Sequence, residues 1–292
     1  MPDLPYDDLT DSLRLADWLE LYAITSSDSN SSRGDLDSAL RTTSHSELGS
    51  DDEIEQKILE VFGEFEQRAK AAGEAYPFDI DFRGILRLKA GGWEAFPVYT
   101  FCLCLSYYPL RETHIGPKIF EQVSCLAARG YLRGRAVGFG SPRVGLSSSF
   151  ADAITELCNL VGEGGGYLKQ SSLSRQDDTL DLVAWKDFED KRPSKILMFG
   201  QCGAGRNWSE KLGDLQPDAF WKQWMQLATI SPDPIKSFFT PYRVGWRLWE
   251  FQARRAGILF DRCRIAYWAH QEEADHSSLI EWTEDFLTRE AV

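Results

Sequence analysis

The sequence predicts an α/β protein in which helices flank a mixed central sheet and a mainly helical N-terminal extension precedes that core. Three observations support this fold class. Apolar side chains recur at helical spacing in residues 8–25 and 51–72. From residue 116 onward, helical patterns alternate with short apolar strands. Two of those strands are joined by a charged turn, which indicates a hairpin. We therefore expect a helical region over residues 1–110 and an α/β domain over residues 111–292.

The N-terminal region follows from its patterns in chain order. Residues 8–25 and 51–72 predict helices, and the Ser- and Asp-rich stretch 26–50 between them predicts a flexible acidic loop. Residues 77–89 fit either a strand pair or a continued helix. Residues 96–108 form an apolar block that we interpret as a buried helix.

The second region alternates helices and strands. The patterns predict a helix over 117–132, a strand over 136–141, a helix over 149–166, strands over 179–188 and 194–203, a partly helical stretch over 207–228, a strand over 235–244, a helix over 244–257, a strand over 258–269 and a mostly helical acidic tail. This order is typical of a mixed sheet with helices on its faces.

Composition limits the functions to consider. The net charge of −13 disfavours nucleic acid overall, yet residues 1–60 alone hold 15 acidic and 4 basic side chains. Residues 111–143 and 241–268 each carry six Lys/Arg against two acids. Either window suits phosphate groups, and a solvated face with Arg salt bridges explains each equally well.

Membrane and secretory functions are not expected. No apolar run reaches the roughly 18–20 residues that span a bilayer, and the N-terminus is acidic where a signal peptide is basic. The cysteines lack the spacing of a zinc site and lie in apolar surroundings. A cytoplasmic protein is therefore expected.

Cys202 as a nucleophile would need a histidine base, and only His114 is near the core segment.

The predicted hairpin brings polar side chains to the end of an apolar sheet. Its turn centres between Lys191 and Arg192, so Asp181 faces a residue near Cys202, within one step of Gln201. Burying such groups without partners is costly. They can share a hydrogen bond, or offer oxygen ligands to Mg²⁺, and a polar rim at the end of the sheet explains them as well. Asp178 can add a ligand or cap a turn.

These residues resemble a known superfamily. Glu121 in KIFEQV, Asp181 in DDTLDLVAWK and Gln201 in ILMFGQCG, followed by a helix and a strand, are similar to the PD-(D/E)XK nucleases over residues 116–269. The resemblance implies a restriction-endonuclease-like core that uses Mg²⁺ or Mn²⁺ to hydrolyse phosphodiester bonds of DNA, with RNA not excluded. It implies that Asp181 and Gln201 bind the metal and that Glu121 is a third ligand or orients one.

Further expectations come from the same resemblance. Glu163 is an alternative helix carboxylate, and an acid at a surface helix end explains it as well. Proteins of this kind often serve bacterial antiphage defence or restriction within a multi-subunit complex. The Trp18 and Tyr22 helix suits a protein partner, and a homo-oligomer is compatible with the sequence. The arginines proposed for nucleic-acid contact are Arg133, Arg135, Arg143, Arg206, Arg243 and Arg247.

One departure from the superfamily bears on activity. Its lysine should stand two residues after Gln201, where this sequence has Gly203. Lys211 is the first candidate to replace it. Lys186 points to the opposite face of its strand, and Arg206 could stabilise charge without activating water. If none reaches the site, the chain is an inactive nuclease-fold subunit that binds nucleic acid or a protein partner.

Overall fold

The computed structural model describes residues 11–43, 50–108, 115–169, 179–226 and 232–290, together with Pro2 and Leu4. In this part of the chain the helices are α1 (Ser12–Thr25), α2 (Arg33–Thr43), α3 (Asp51–Ala72), α4 (Pro97–Tyr107), α5 (Ile115–Leu132), α6 (Phe150–Val161), α7 (Pro217–Trp224), α8 (Trp246–Ala256), α9 (Arg262–Ala269) and α10 (Ser277–Glu290). The strands are β1 (Asn30–Ser32), β2 (Phe78–Ile80), β3 (Ile85–Leu88), β4 (Arg135–Gly138), β5 (Leu182–Lys186), β6 (Ile196–Cys202), β7 (Ile235–Phe239) and β8 (Ile258–Phe260). The chain divides into two compact units, residues 1–111 with 262–292, and residues 112–261.

The first unit combines helices with a small antiparallel sheet of order β1-β3-β2. A capping box between Ser50 and Glu53 starts α3. The apolar block 96–108 forms α4, which begins at Pro97 and is buried along its length, so the predicted buried helix is confirmed. Strands β2 and β3 form a hairpin, which is the strand-pair alternative for residues 77–89.

The predicted loop over residues 26–50 is wrong for most of its length, because β1 and α2 lie there. Leu36 and Leu40 stand one helical turn apart and are both buried. The Ser31 hydroxyl is also buried and donates a hydrogen bond to the Leu19 carbonyl at 2.9 Å. The polar composition hid this short apolar stripe, and residues 44–49 lie outside the described ranges.

The end of the chain differs from the sequence expectation. Residues 262–292, assigned above to the α/β domain, belong to the first unit. The strand expected over 258–269 ends at Phe260, and helix α9 follows it. Arg262 at the start of α9 is fully buried and donates hydrogen bonds to Asp17, at 2.8 Å, and to Ser106, at 2.9 Å. These partners are far away in sequence, so the local pattern does not reveal them.

The second unit contains a five-stranded mixed sheet of order β4-β5-β6-β7-β8. The first two pairings are antiparallel and the last two are parallel. Val183 and Phe199 pack with α6 and α7 in one apolar cluster. Helix α5 lies on the other face, because a side chain at Gly138 would meet the Cys125 sulfur of α5 at 3.8 Å. The predicted mixed sheet flanked by helices is thereby confirmed at the level of fold class.

The hairpin of β5 and β6 ends where the candidate residues begin. Its last register pair is Leu182 with Gly200. This register lies one residue from the one that the turn predicted, and the Asp181 amide donates a hydrogen bond to the Gly200 carbonyl at 2.9 Å just beyond the ladder. None of the helices in the described ranges combines the length and apolar character that crossing a bilayer requires.

Candidate active site at the end of the central sheet

Asp181 connects three strand ends at this edge. Its amide donates a hydrogen bond to the Gly200 carbonyl at 2.9 Å. Its carboxylate Oδ2 accepts one from the Cys202 amide at 2.7 Å, which continues the pairing of β5 with β6 beyond the regular ladder. Its carbonyl accepts from the amides of Phe139, at 2.7 Å, and Gly140, at 3.0 Å. The Asp181 backbone is therefore held on both sides, which fixes the position of the carboxylate.

Helix α5 supplies a second carboxylate at the same place. A Cβ atom at Gly140 would lie 2.6 Å from the Glu121 Oε2. The backbone that binds Asp181 therefore lies against the Glu121 carboxylate, and a side chain at position 140 would displace the flexible end of Glu121. Through Gly140, the structure brings two of the predicted site residues, Asp181 and Glu121, to one corner of the sheet.

A lysine that the sequence analysis did not single out belongs to this corner. The Lys118 ammonium donates hydrogen bonds to Glu121 Oε2 at 2.6 Å and to the Gly140 carbonyl at 2.8 Å. The Lys118 and Glu121 side chains are 20% and 18% exposed, so solvent reaches the pair. The available signal was the i, i+3 spacing of Lys118 and Glu121 in the predicted helix.

Two thiols show the electrostatic effect of these carboxylates. Desolvation raises the pKa of Cys202 well above its ordinary value, and the charges of Asp181 and Glu121 raise it further. Desolvation also raises the pKa of Cys125 to about 12, where Glu121 and Asp181 add to the rise and Lys118 opposes it. Both carboxylates therefore act on the same two sulfur atoms. The Cys202 thiol stays neutral at physiological pH, which argues against a cysteine nucleophile, and His114 lies outside the described residues.

Gln201 lies next to Cys202 in β6, and its side chain projects from the other face of the sheet. Strand alternation groups Gln201 with Phe199 on the α6 and α7 side, whereas Cys202 faces α5. The Gln201 side chain is buried, and its Oε1 accepts no hydrogen bond within the described part of the chain. Its oxygen is thus an unsatisfied buried acceptor. The described contacts join it to neither Glu121 nor Asp181.

Gly203, the position at which the resemblance would place a lysine, has no room for a side chain. A Cβ atom at Gly203 would lie 2.6 Å from the Phe238 ring and 3.0 Å from the Trp208 Cβ. The Gly203 amide also donates a hydrogen bond to the Phe239 carbonyl at 2.8 Å. This position is filled by aromatic side chains, so any cation at the site must come from another element.

The three cations that the sequence suggested lie elsewhere. Lys211 is exposed on the 3-10 helix Trp208–Gly213, and no described contact joins its amine to Asp181, Glu121 or Gln201. Lys186 donates a hydrogen bond to the Arg133 carbonyl and pairs with Ile196, at the opposite end of the hairpin. Arg206 is exposed in the loop that follows β6.

Glu163 belongs to a different place in the second unit. Its Oε1 accepts a hydrogen bond from the Ser194 amide at 3.0 Å, beside the turn between β5 and β6. Desolvation raises the Glu163 pKa, and the backbone hydrogen bonds from Ser194 and Lys195 oppose the rise. Glu163 therefore supports the turn at the end of the hairpin remote from Asp181. Asp178 lies outside the described residues.

Of the arginines proposed for nucleic-acid contact, Arg143 lies nearest the site. Its guanidinium lies 4.6 Å from the centre of the Phe139 ring. The backbone amide of Phe139 donates a hydrogen bond to the Asp181 carbonyl. Arg135 pairs in register with Trp185, and Arg133 precedes it, so both lie at the far end of the strands.

The remaining arginines differ in their availability. Arg243 forms an ion pair with the fully buried Asp261 at 2.6 Å, so a structural contact already engages its guanidinium. Arg206 and Arg247 are exposed.

The carboxylates at this corner are groups that could serve as ligands of a hard divalent cation. Within the described residues no group of three or more His, Cys, Asp or Glu side chains forms a metal site. Mg²⁺, however, usually takes one or two protein carboxylates and completes its shell with water and substrate phosphates. The pair Asp181 and Glu121 meets that requirement. Comparisons with protein-family models, curated proteins and solved structures give no match to the chain.

Proposed function

We propose that the protein is a metal-dependent phosphodiesterase that cleaves DNA at the sheet end holding Asp181. Gly140 is the observation that carries the proposal. Its amide donates a hydrogen bond to the Asp181 carbonyl at 3.0 Å, and a Cβ atom at this position would lie 2.6 Å from the Glu121 Oε2. A strand carboxylate and a helix carboxylate thereby share one corner with an ammonium group, which suits phosphoryl transfer because that reaction needs anionic metal ligands and cations together.

The order of the elements gives further support. Helix α5 precedes three antiparallel strands, β4 to β6, and a helical segment then leads to the parallel strand β7. The PD-(D/E)XK resemblance implies a helix with a glutamate, a hairpin with the aspartate, then a helix and a strand. The restriction-endonuclease-like core is part of this proposal, and so is the role in bacterial defence.

Asp181 and Glu121 would hold the Mg²⁺ or Mn²⁺ ion. A bound ion of this kind supplies an activated water and neutralises charge on the phosphoryl oxygens. The Cys202 amide orients Asp181 by donating to its Oδ2 at 2.7 Å. The Gln201 oxygen, buried and unsatisfied within the described chain, is a further ligand only if its side chain turns toward Asp181.

Lys118 would provide the cation that the strand lacks. Its ammonium lies 2.6 Å from Glu121 Oε2, and its side chain is partly open to solvent. A phosphate group brought to the carboxylates would come within its reach. There Lys118 would donate a hydrogen bond to a phosphate oxygen and stabilise the negative charge that develops in the transition state.

A second candidate function is an inactive scaffold with the same fold. The observation that favours it is the aromatic filling around Gly203, which excludes a lysine from the usual position. On that view Lys118 only balances the charge of Glu121. The two functions differ in whether purified protein cleaves phosphodiester bonds.

The test is a cleavage assay on plasmid DNA, single-stranded DNA and RNA, in Mg²⁺, in Mn²⁺ and in EDTA. We expect metal-dependent cleavage by the wild type and loss of at least about 100-fold in rate for Asp181→Asn. The asparagine oxygen can still accept from the Cys202 amide, so the fold should persist. Asp190→Asn is the matched control, because Asp190 is an exposed acid at the hairpin turn. No cleavage of any substrate would support the scaffold.

A further inference from the structure

Helix α8 presents an outward face of aromatic and cationic side chains. Trp246 is 80% exposed, Leu248 is 58% exposed and Phe251 is 62% exposed. Arg247 and the adjacent pair Arg254 and Arg255 are exposed beside them. Large apolar side chains in this number on one short helix indicate a binding surface, because a solvated helix face normally carries polar residues.

Three of these residues lie along one stripe of α8. Gln252 and Ala256 are buried, and Trp249 packs against the apolar cluster beneath the helix. On the opposite side, Arg247, Phe251 and Arg255 follow one another at intervals of four residues. The Arg255 guanidinium lies 5.8 Å from the centre of the Phe251 ring. Cations therefore alternate with an aromatic ring along the outer surface of α8.

The chain reaches α8 from the same sheet end that holds Asp181. Strand β7 runs parallel to β6, and the Phe239 carbonyl at its end accepts a hydrogen bond from the Gly203 amide at 2.8 Å. The next residue, Thr240, donates through its hydroxyl to the Gly203 carbonyl at 3.1 Å. The ion pair of Arg243 with Asp261 then holds the segment that leads into α8.

We infer that the outer face of α8 binds single-stranded nucleic acid, with bases stacked on Phe251 and Trp246 and phosphates paired with Arg247 and Arg255. Exposed aromatic rings offer stacking faces to unpaired bases, and the arginines beside them can pair with phosphates. The single acid on the helix, Glu250, leaves its net charge positive. The inference rests on the proposed nuclease function, whose substrate strand it would hold as it leaves the site.

The test is fluorescence anisotropy of the full-length protein with a labelled oligothymidylate in EDTA, so that no cleavage occurs. The double variant Trp246→Ala with Phe251→Ala should weaken binding by roughly tenfold or more, because base stacking is lost. Arg247→Gln with Arg255→Gln should reduce the slope of log K against log salt by about 1.4, since two phosphate contacts are removed. Phe188→Ala is the control, as Phe188 is similarly exposed at the hairpin turn, at 56%.

The outcomes separate this inference from the nuclease proposal. Oligothymidylate binding that is as tight in both α8 variants as in Phe188→Ala overturns the inference and leaves α8 as a surface for a protein partner. Equal losses on duplex and single strands also overturn it, because stacking requires unpaired bases. Weakened binding in the variants, together with a wild type that cleaves nothing, supports α8 as the binding face and removes the proposed activity.

Discussion

Gly140 and Gly203 determine, by lacking side chains, which groups lie next to the candidate site. Gly140 allows the Asp181 backbone and the Glu121 carboxylate to meet, and Gly203 makes room for the Phe238 ring. The resemblance identified Asp181 and Glu121, and the structure brings both to one corner. The resemblance did not identify Lys118, because in the PD-(D/E)XK pattern the lysine lies on the strand. Only the folded contact at 2.6 Å relates Lys118 to Glu121.

Removal of the Lys118 amine should slow cleavage without unfolding the protein. We expect Lys118→Gln to lower the cleavage rate by about 100-fold or more, the effect of losing one donor to a developing oxyanion. The ion pair is partly exposed, so its loss should cost only about 1 kcal/mol of stability. Rates on a fixed DNA substrate and urea unfolding measure the two effects. Lys222→Gln, which removes an exposed ion pair on α7, should change neither. A Lys118→Gln enzyme as fast as the wild type would exclude the role.

A lysine introduced at position 203, where the resemblance would place one, should destabilise the protein. Gly203→Lys places a Cβ 2.6 Å from the Phe238 ring, and we expect a loss of about 1–3 kcal/mol in unfolding free energy from overpacking, with no gain in cleavage. Gly213→Lys is the control, because no atom lies within 4 Å of a Cβ at that position. Urea unfolding of both variants checks the prediction. Equal stability, combined with faster cleavage by Gly203→Lys, would show that the position is open.

At the scale of elements, the apolar block 96–108 was interpreted as a buried helix and is α4, and the position of the turn predicted the hairpin register to within one residue. Apolar periodicity did not separate β8 from α9, because the charged residues Asp261, Arg262 and Arg264 interrupt both patterns within residues 258–269. Helix α9 is held in the first unit by the buried Arg262. The Arg262 guanidinium forms an ion pair with Asp17, which also pairs with Arg68. Such clusters depend on residues distant in sequence, so sequence patterns do not show them.

Breaking this ionic cluster should lower the free energy of unfolding, and the size of the loss should depend on pH. Burial acts to raise the Asp17 pKa, but the charges of Arg262 and Arg68 outweigh it and hold the pKa at about 2. A lowered pKa stabilises the fold above the unfolded value of 3.8, and the contribution is lost as the pH falls toward 2. Arg262→Met should therefore cost about 3–5 kcal/mol at neutral pH.

The pH series provides the check on that prediction. The difference in unfolding free energy between Arg262→Met and the wild type should shrink as the pH falls below about 4. Below that pH the unfolded chain binds a proton at Asp17, so the wild type loses the stability that its lowered Asp17 pKa provides. Arg289→Met is the control, since Arg289 forms an exposed pair on α10 in the same unit. A loss of stability that stayed constant from neutral to acid pH would mean that Asp17 is not the group that Arg262 supports.

At the scale of the whole molecule, the charge is divided between the two units. Residues 112–261 carry 19 Lys/Arg and 17 Asp/Glu, whereas residues 1–111 with 262–292 carry 13 and 28. The unit that holds Asp181 and α8 is thus slightly basic in a protein of net charge −13. Sequence counts revealed the acidic N-terminus, but the acidic C-terminal tail joined it only in the fold. The charge of the second unit, taken by itself, therefore does not oppose binding of nucleic acid there.

The most direct test of the central claim is a double-mutant cycle on Mg²⁺-dependent DNA cleavage. It compares the rates of wild type, Glu121→Gln, Asp181→Asn and the double variant, with folding checked by urea unfolding. If the two carboxylates share one ion, each single variant should lose nearly all activity and the double variant should be little worse, because residues that act as a unit are not additive. Additive losses, or a Glu121→Gln enzyme as active as the wild type, would contradict a shared site.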